Sequence, residues 1–435
     1  SQLAEKAPFP LTFALRDPVT GQKFAVNKIT DVFSVDQSNF SIVDSSSAAT
    51  SRVATATATG ARDGRVHVRT GGIVGAGVSA GDRVRVTNVG GSTVFAARGA
   101  VTTVADDEIF FQADGSKFQL STNFSAGSTT FTAVVSDGKI ASFPSSGSLR
   151  VRLGSGANAE IVSVSMPITF SGTTATFTLA SGATRLLHDV NEDVQVMFED
   201  QVVTSVDDGI LSSVSGHILS ETAGTFVSGN VGDRVVIHPE ALQDNTGAIA
   251  GGGFRVETTG LSLTGADVGR LVTVWTDVSS LNAADGDLNA VPNQLSSATN
   301  GFTTADKGKV IKIGTEYRRV TNVNSAAVVT YSGPALTGTG VSFTIFRTQA
   351  VRTITAVDVG GGGSDFFVDS SITAVSGGLP VIVHRAEHRD VTSFVSGVDV
   401  AYSGSSINPD IGIGYHTPVR IFDERVSVQV MPNYD

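Results

Sequence analysis

Short runs in which apolar and polar residues alternate recur along most of this chain. Two clear examples are "SAGDRVRVTNVG" (79–90) and "TTADKGKVIKIG" (303–314). Successive side chains of a β-strand point to opposite faces, so this alternation predicts strands with one buried face. In the second example it predicts that Val310, Ile311 and Ile313 build a strand, with Lys309 and Lys312 facing water.

A second phrase predicts β-hairpins. It consists of an apolar residue, Thr, any residue and Val, followed by a polar turn and a further apolar run. The copies are "VTNVGGSTVFA" from Val86, "VTTVADDEIFFQ" from Val101, "VTSVDDGILSSV" from Val203, "VTNVNSAAVVTY" from Val320 and "ITAVDVGGGGSDFFV" from Ile354. In this interpretation "DDE" (106–108) and "DDG" (207–209) are hairpin tips.

The glycines that open the alternating runs are regularly spaced. Gly232, Gly269 and Gly308 follow one another at intervals of 37 and 39 residues (269 − 232 and 308 − 269). Such a period indicates a repeated supersecondary unit. Chance similarity between simple β-rich segments is the alternative.

Other segments depart from this pattern. Residues 1–50 contain "APFPLTFALRDPVTGQKFAV" and predict an extended arm with a hairpin. "HPEALQDN" (238–245) and "AEHRDVTSF" (386–394) are candidate short helices, the former with proline near its start. "NAADGDLNAVPNQLSSATNG" (282–301) has no clear period and predicts a long loop, a type of segment that often contacts a partner. The predicted division is an arm at 1–50 and β modules at 51–150, 151–250, 251–350 and 351–435.

Composition strengthens the β assignment. The chain has 435 residues, 48 of them Gly, and only 16% are charged. Val, Thr, Ser, Phe and Ile dominate, and the β-branched residues among them favour pleated strands. The sequence therefore predicts an all-β protein made of several small β-sandwich or β-barrel modules built from hairpins, with an extended N-terminal arm.

Charge and cysteine content exclude several functions. The net charge is −11, and Lys and Arg are scattered, so the chain lacks the basic footprint that binds nucleic acid or an anionic membrane. It has no cysteine, which excludes disulfides and thiolate metal sites. The start "SQLAEKAPFP" has no basic stretch followed by an apolar one, so it does not match a signal peptide. Ser1 fits cytoplasmic synthesis with removal of the initiator Met, and cleavage of a leader is the alternative.

Two strings match catalytic motifs as text. "GVSAG" (77–81) fits the nucleophile elbow, but that motif needs a helix after Ser79, and "GDRVRV" alternates as a strand. "HRAEH" (384–388) fits an inverted zinc-protease motif, which needs both histidines on one helix. The run "LPVIVH" before it predicts a strand, which separates His384 from His388 by roughly 13 Å, too far for one metal.

The remaining motifs are weaker. "DGDLN" (285–289) has the alternate oxygens of a calcium loop but lacks its later Gly and Glu, so a solvated loop is favoured and a weak site stays open. "GGGG" (360–363) lacks the Lys and the helix of a phosphate cradle. Trp275, the single tryptophan, is expected in the core. We therefore predict no catalytic residue, no cofactor and no metal site, and expect no enzyme.

In style the chain resembles the virion structural proteins of tailed bacteriophages. The resemblance is carried by "TADKGKVIKIGTEYRRVTNV" and "SAGDRVRVTNVGGSTV", and it covers most of residues 52–435. It implies a structural protein of the tail, neck, baseplate or head surface, located in the virion after synthesis in the host cytoplasm. Its partners would be other copies of itself, other virion proteins and, in addition, a host surface glycan. Assembly would use strand edges, the arm at 1–50 and "TPVRIFDERVSVQVMPNYD" (417–435), which could complete a sheet of this subunit or of a neighbour.

Two other functions remain open at this point. A bacterial adhesin or carbohydrate-binding β-sandwich protein would require export. A β-rich glycan hydrolase would require two carboxylates that meet only in the folded chain.

Overall fold

The structure is a computed structural model, and it is all-β, as predicted. It describes residues 56–431 except 63–64, 69–79, 81–82, 89–95, 105–107, 114–116, 137–145, 198–201, 212–216, 232, 277–280, 300, 359–363, 374–376, 408–414 and 423–425. The predicted arm at 1–50 lies outside the described residues. Within them, no helix is long and apolar enough to cross a membrane.

The described strands form five small barrels with one topology. We number the barrels 1 to 5 and the strands within each from first to sixth along the chain. In every barrel the neighbours run in the closed order 1-2-5-4-3-6. Barrel 1 consists of β1 (Ala56–Arg62), β2 (Arg65–Val68), β3 (Arg83–Asn88), β4 (Ala96–Val104), β5 (Glu108–Ala113) and β31 (Val426–Met431).

The other barrels follow the same scheme. Barrel 2 consists of β6 (Lys117–Leu120), β7 (Thr130–Val135), β8 (Ser148–Leu153), β9 (Glu160–Ser165), β11 (Thr174–Thr178) and β12 (Asp193–Met197), with β10 (Thr169–Ser171) as an additional strand beside β11. Barrel 3 consists of β13 (Val202–Leu211), β14 (Ile218–Ser220), β15 (Arg234–Ile237), β28 (Glu387–Ser396), β29 (Asp399–Tyr402) and β30 (Thr417–Phe422).

Barrel 4 consists of β16 (Glu240–Ala250), β17 (Arg255–Glu257), β18 (Leu271–Trp275), β25 (Gln349–Asp358), β26 (Asp365–Val368) and β27 (Leu379–His384). Barrel 5 consists of β19 (Asn282–Gly286), β20 (Gln294–Ser296), β21 (Val310–Ile313), β22 (Glu316–Ser325), β23 (Val328–Tyr331) and β24 (Val341–Phe346). Single bridges close two of the barrels, Val164 with Leu179 in barrel 2 and Asp287 with Ser296 in barrel 5.

The barrels are nested within one another along the chain. Barrel 5 is inserted between the third and fourth strands of barrel 4. Barrel 4, with its insert, lies between the third and fourth strands of barrel 3. Barrels 2 and 3 both lie between the fifth and sixth strands of barrel 1. In barrel 5 no barrel is inserted at this point. The third and fourth strands are joined by a two-residue turn, Gly314 and Thr315.

The apolar residues of the alternating runs form the cores of the barrels, as predicted. Barrels 2, 3 and 5 each have their own apolar cluster. The cluster of barrel 4 also includes Ile161 from barrel 2 and Val310 and Phe346 from barrel 5. Burying this shared apolar surface joins barrels 2 and 5 to barrel 4.

In four of the barrels, the fourth strand has a β-bulge at the same position. Pairing in the fourth strand shifts between Val101 and Thr103, between Val320 and Asn322, between Ile354 and Ala356, and between Val391 and Ser393. The skipped residue is a threonine in all four strands, and in three of them it is the threonine of the phrase. A bulge at this point bends the strand, which helps a six-stranded sheet to close.

Four of the five predicted hairpins are present, and one prediction is wrong. "DDG" (207–209) is not a hairpin tip but lies inside β13, where the register shifts between Val206 and Gly209. The aspartates thus sit at a bulge within a continuous strand, which a short polar cluster can also indicate.

Three further predictions are corrected. The candidate helices at 238–245 and 386–394 belong to β16 and β28, because pairing with distant strands overrides their local composition. The predicted loop at 282–301 contains β19 and β20, which are short and irregular. Lys309 does not face water freely, since its side chain is only 13% exposed and lies 3.9 Å from buried Asp306.

Strand pairing groups the chain differently from the predicted consecutive modules. The borders at 150/151 and 350/351 fall inside β8 and β25, and barrels 1, 3 and 4 each combine segments far apart in sequence. The segment at 417–435 follows the first of its two alternatives. Its strands β30 and β31 complete barrels 3 and 1 of the same chain.

Candidate functional site

Barrels 3, 4 and 5 meet around a cluster of buried polar side chains. A two-stranded ribbon positions two of them. The register that pairs Ile237 with Glu387 in barrel 3 continues unchanged to the pair Glu240 and His384 in barrel 4. Between the two pairs, the Arg385 N–H donates to the Pro239 carbonyl at 3.1 Å. The ladder therefore runs without a break from one barrel to the next.

A buried ion pair joins barrels 4 and 5 at this ribbon. The Arg319 guanidinium in β22 pairs with the Glu240 carboxylate, and their side chains are 5% and 1% exposed. Arg319 Nη1 also donates to the Gly308 carbonyl at 2.8 Å. Burial lowers the pKa of Arg319 to about 9, so it remains charged at neutral pH opposite the carboxylate. The two charges neutralise each other where water is excluded.

Two buried histidines in the cluster are neutral. His384 Nε2 lies 2.8 Å from Thr273 Oγ1, and burial together with the charge of Arg319 lowers its pKa to about 3. His416, just before β30, lies with Nε2 3.3 Å from the Lys307 carbonyl, and burial lowers its pKa to about 4. Both imidazoles are therefore uncharged near pH 7.

Trp275 fills the space between these groups, in the core as predicted. Its side chain is 1% exposed. The His416 ring meets it edge-on at 5.1 Å, and the Arg319 guanidinium lies 5.5 Å from its ring centre. Aromatic and cation–π contacts of this kind add to the burial of the indole ring.

The polar groups of this cluster pair with one another and hold barrels 3, 4 and 5 together. General acid–base catalysis needs a group that titrates near the working pH. The pKa values of about 3 and 4 place both histidines outside that range. The charges of Arg319 and Glu240 are paired with each other. The cluster draws its members from barrels 3, 4 and 5, so its contacts fix the position of each barrel relative to the others.

The structure separates the residues of the zinc-like string. His384 ends β27 in barrel 4, whereas His388 lies in β28 in barrel 3. Ser79 and the glycines at 360–363 lie outside the described residues. Within the residues that are described, no three His, Asp or Glu side chains are arranged to hold a metal ion.

The aspartates of the calcium-like string hold a hairpin together. Asp285 accepts hydrogen bonds from Ser297 Oγ at 2.8 Å and from the Thr299 N–H at 2.7 Å. The hydrogen bond from Ser297 contributes most to lowering the pKa of Asp285, and the bond from Thr299 adds to it. Asp287 accepts from the Asn289 N–H at 2.9 Å. Asp285 therefore ties β19 to the segment that follows β20, and Asp287 stabilises the turn that follows β19.

A second buried cluster, in barrel 2, was not foreseen from the sequence. His188 is fully buried, and its ring nitrogens lie 2.7 Å from Glu192 Oε2 and 3.2 Å from Glu160 Oε2. Glu160 also accepts from the N–H groups of Arg185 and Leu186. Burial lowers the pKa of His188, but the two carboxylates outweigh it and the net shift is upward. The two carboxylates thus favour the charged, imidazolium form of the ring.

The stability that His188 gives barrel 2 should decrease at alkaline pH. Its folded pKa is raised above 6.5, so this contribution is complete below about pH 6.5 and is lost as pH rises through the folded pKa. We expect hydrogen exchange in barrel 2 to be faster in His188→Gln than in the unmodified chain at about pH 6. The difference should shrink towards about pH 9. A difference that stays constant or grows with pH would contradict the charged state.

No family model, no curated protein and no solved structure matches this chain.

One sequence signal for the barrel junctions was present but unused. Thr264 and Asp267, and likewise Thr303 and Asp306, have the spacing of a capping box, in which the aspartate accepts from the threonine N–H at 2.8 Å. Each box encloses a single 3-10 turn directly before the third strand of its barrel. The ion pair and the histidine clusters had no such local signal.

Proposed function

We propose that this chain is a structural subunit of a bacteriophage virion, which assembles with further copies of itself and with other virion proteins. The observation that carries the proposal is the repetition of one barrel topology five times, with two of the barrels inserted at the equivalent hairpin of the preceding one. In a chain organised in this way, most of the described residues form a framework of barrels. Frameworks of small β modules are the feature that it shares in style with tail, neck, baseplate and head-surface proteins.

The junctions between barrels support this proposal. Barrels 2, 4 and 5 share one apolar cluster, and barrels 3 and 4 share a continuous ribbon. The buried pair of Glu240 and Arg319 adds a charged contact that fits only one arrangement of barrels 4 and 5. Barrels held in this way present fixed surfaces, which a particle with regular symmetry requires.

Residues 1–50 are proposed as an arm that contacts a neighbouring subunit. We expect the full chain to form a ring, trimer or lattice, visible by sedimentation and by negative-stain microscopy. A chain without residues 1–50 should keep its β circular dichroism and lose most of the assembly. A matched control carries a scrambled arm of the same composition, and we expect it to behave like the deletion.

Two results would count against these proposals. A full chain that remains a monomer at every concentration and never joins a larger particle would contradict the structural role. Assembly that is unchanged without residues 1–50 would contradict the arm and leave the structural role in place.

A further inference from the structure

In barrel 4, the 3-10 turn before the third strand contacts barrel 2. The turn Gly265–Asp267 contacts barrel 2 so closely that a Cβ on Gly265 would lie 1.5 Å from the Gly156 carbonyl oxygen. Arg152 of barrel 2 donates to the Gly265 carbonyl at 3.3 Å. Val268, which follows the turn, is only 7% exposed.

The residues that directly follow the equivalent turn of barrel 5 also contact another barrel. It spans Thr304–Asp306, and Gly308 follows it. A Cβ on Gly308 would lie 2.3 Å from the Cβ of Tyr415, which precedes the sixth strand of barrel 3. The Lys307 ammonium lies 4.9 Å from the centre of the Tyr415 ring. In both inner barrels the segment at and just after this turn therefore contacts another barrel of the same chain, while Thr264, Ala266 and residues 303–305 remain exposed.

The equivalent turn of barrel 3 is uncovered and apolar. The turn Ser228–Asn230 is flanked by Val227 and Val231, which are 55% and 46% exposed. Val395 and Val398, in the hairpin between β28 and β29, are 57% and 37% exposed. The two segments adjoin, because the Phe226 N–H donates to the Gly397 carbonyl at 3.0 Å. We call these four residues the valine patch.

Comparison with barrel 5 shows that the barrel itself does not need these valines. The Phe302 N–H donates to the Ala326 carbonyl at 3.0 Å, which matches Phe226 and Gly397 and fixes the correspondence. Thr303 therefore stands where Val227 stands, and Asn324 stands where Val395 stands. Threonine is preferred at the residue that begins a turn or helix, and valine is disfavoured there. Barrel 5 thus folds with polar side chains at the positions of Val227 and Val395.

Given the proposed assembly role, on which this inference rests, we propose that the valine patch is a docking site for a barrel of a second copy of this chain. The occupants of the equivalent turns in barrels 4 and 5 are barrels of this chain, so the turn suits a body of that kind. None of the described barrels of the chain covers the patch, so a barrel docked there would belong to a second copy. Valine at position 268 is buried in barrel 4, while valine at position 231 is exposed, which is the difference that docking would remove.

The test replaces patch valines with the residues that barrel 5 carries. We expect the full chain with Val227→Thr and Val395→Asn to associate at least about tenfold more weakly than the unmodified chain by sedimentation equilibrium, because two apolar contacts are lost. Both positions are exposed, so the melting temperature should change little. A matched control, Val291→Thr with Leu242→Asn, changes two exposed apolar residues outside the patch, and should associate normally.

The outcomes separate this inference from the proposed function. Association of the patch variant at full strength, while the unmodified chain assembles, would overturn the docking site and leave the structural role intact. An equal loss in the control variant would also overturn it, because the effect would not be specific to the patch. An unmodified chain that is monomeric at every concentration would overturn both.

Discussion

Replacing Arg319 by methionine is expected to lower the free energy of unfolding around Trp275 by about 3–5 kcal/mol. The substitution keeps the apolar stem but leaves the Glu240 carboxylate buried without its counter-charge. The side chain of Glu240 is 1% exposed, so water cannot replace the guanidinium. A buried charge that loses its partner costs far more than an exposed one.

Trp275 provides a local readout for this variant. It is the only tryptophan of the chain, and the Arg319 guanidinium lies 5.5 Å from its ring centre. Urea unfolding followed by tryptophan fluorescence therefore reports the junction of barrels 3, 4 and 5 directly. The expected result is a lower urea midpoint for the variant.

The neighbouring residue supplies a matched control. Arg318 pairs with Glu316 at 2.9 Å, but the Glu316 side chain is 50% exposed. Arg318→Met is therefore expected to cost about 1 kcal/mol or less, as exposed ion pairs usually do. A double variant, Glu240→Met with Arg319→Met, should be more stable than Arg319→Met alone, because no charge is left unpaired. Equal effects of Arg318→Met and Arg319→Met would show that the buried pair does not fasten the junction.

Local pattern was sufficient to predict the regular strands. In β21, Ile311 and Ile313 are buried on one face as the alternation of "KVIKI" indicates, whereas Val310, on the other face, is buried in the cluster shared with barrel 4. The equal spacing of glycines also indicated the repeat, since Gly269 and Gly308 both precede a third strand and both have positive φ, 97° and 85°. These features depend on residues that are close together in the chain.

Nesting could not be predicted, because the partner of a strand is set by closure of its barrel rather than by the nearest strand along the chain. β15 pairs with β28, and two complete barrels separate them in sequence. For the same reason β19 and β20 were missed, since both are short, and their hydrogen bonds go to β24 and β23. Glu240, Arg319 and His416 likewise lie in separate segments, and only the nested topology brings them together.

Replacing Gly308 by alanine is expected to destabilise the junction by about 2–5 kcal/mol, for two separable reasons. Its φ of +85° is a left-handed conformation, which costs a residue with a Cβ about 1–2 kcal/mol. The added Cβ would also lie 2.3 Å from the Cβ of Tyr415, so backbone must move where barrels 3 and 5 meet. That movement would also displace the Gly308 carbonyl, which accepts a hydrogen bond from Arg319.

Gly127→Ala isolates the first reason from the second. Gly127 has a similar φ of +90°, but a Cβ there would meet no atom within 4 Å. We expect this control to cost only the conformational term of about 1–2 kcal/mol. Urea unfolding followed by circular dichroism for both variants, and by Trp275 fluorescence for Gly308→Ala, gives the comparison. If the two substitutions cost the same, contact between the Gly308 backbone and Tyr415 does not hold barrel 5 against barrel 3. A larger cost for Gly308→Ala, with an earlier fluorescence change, would establish that glycine is required here by close packing as well as by φ.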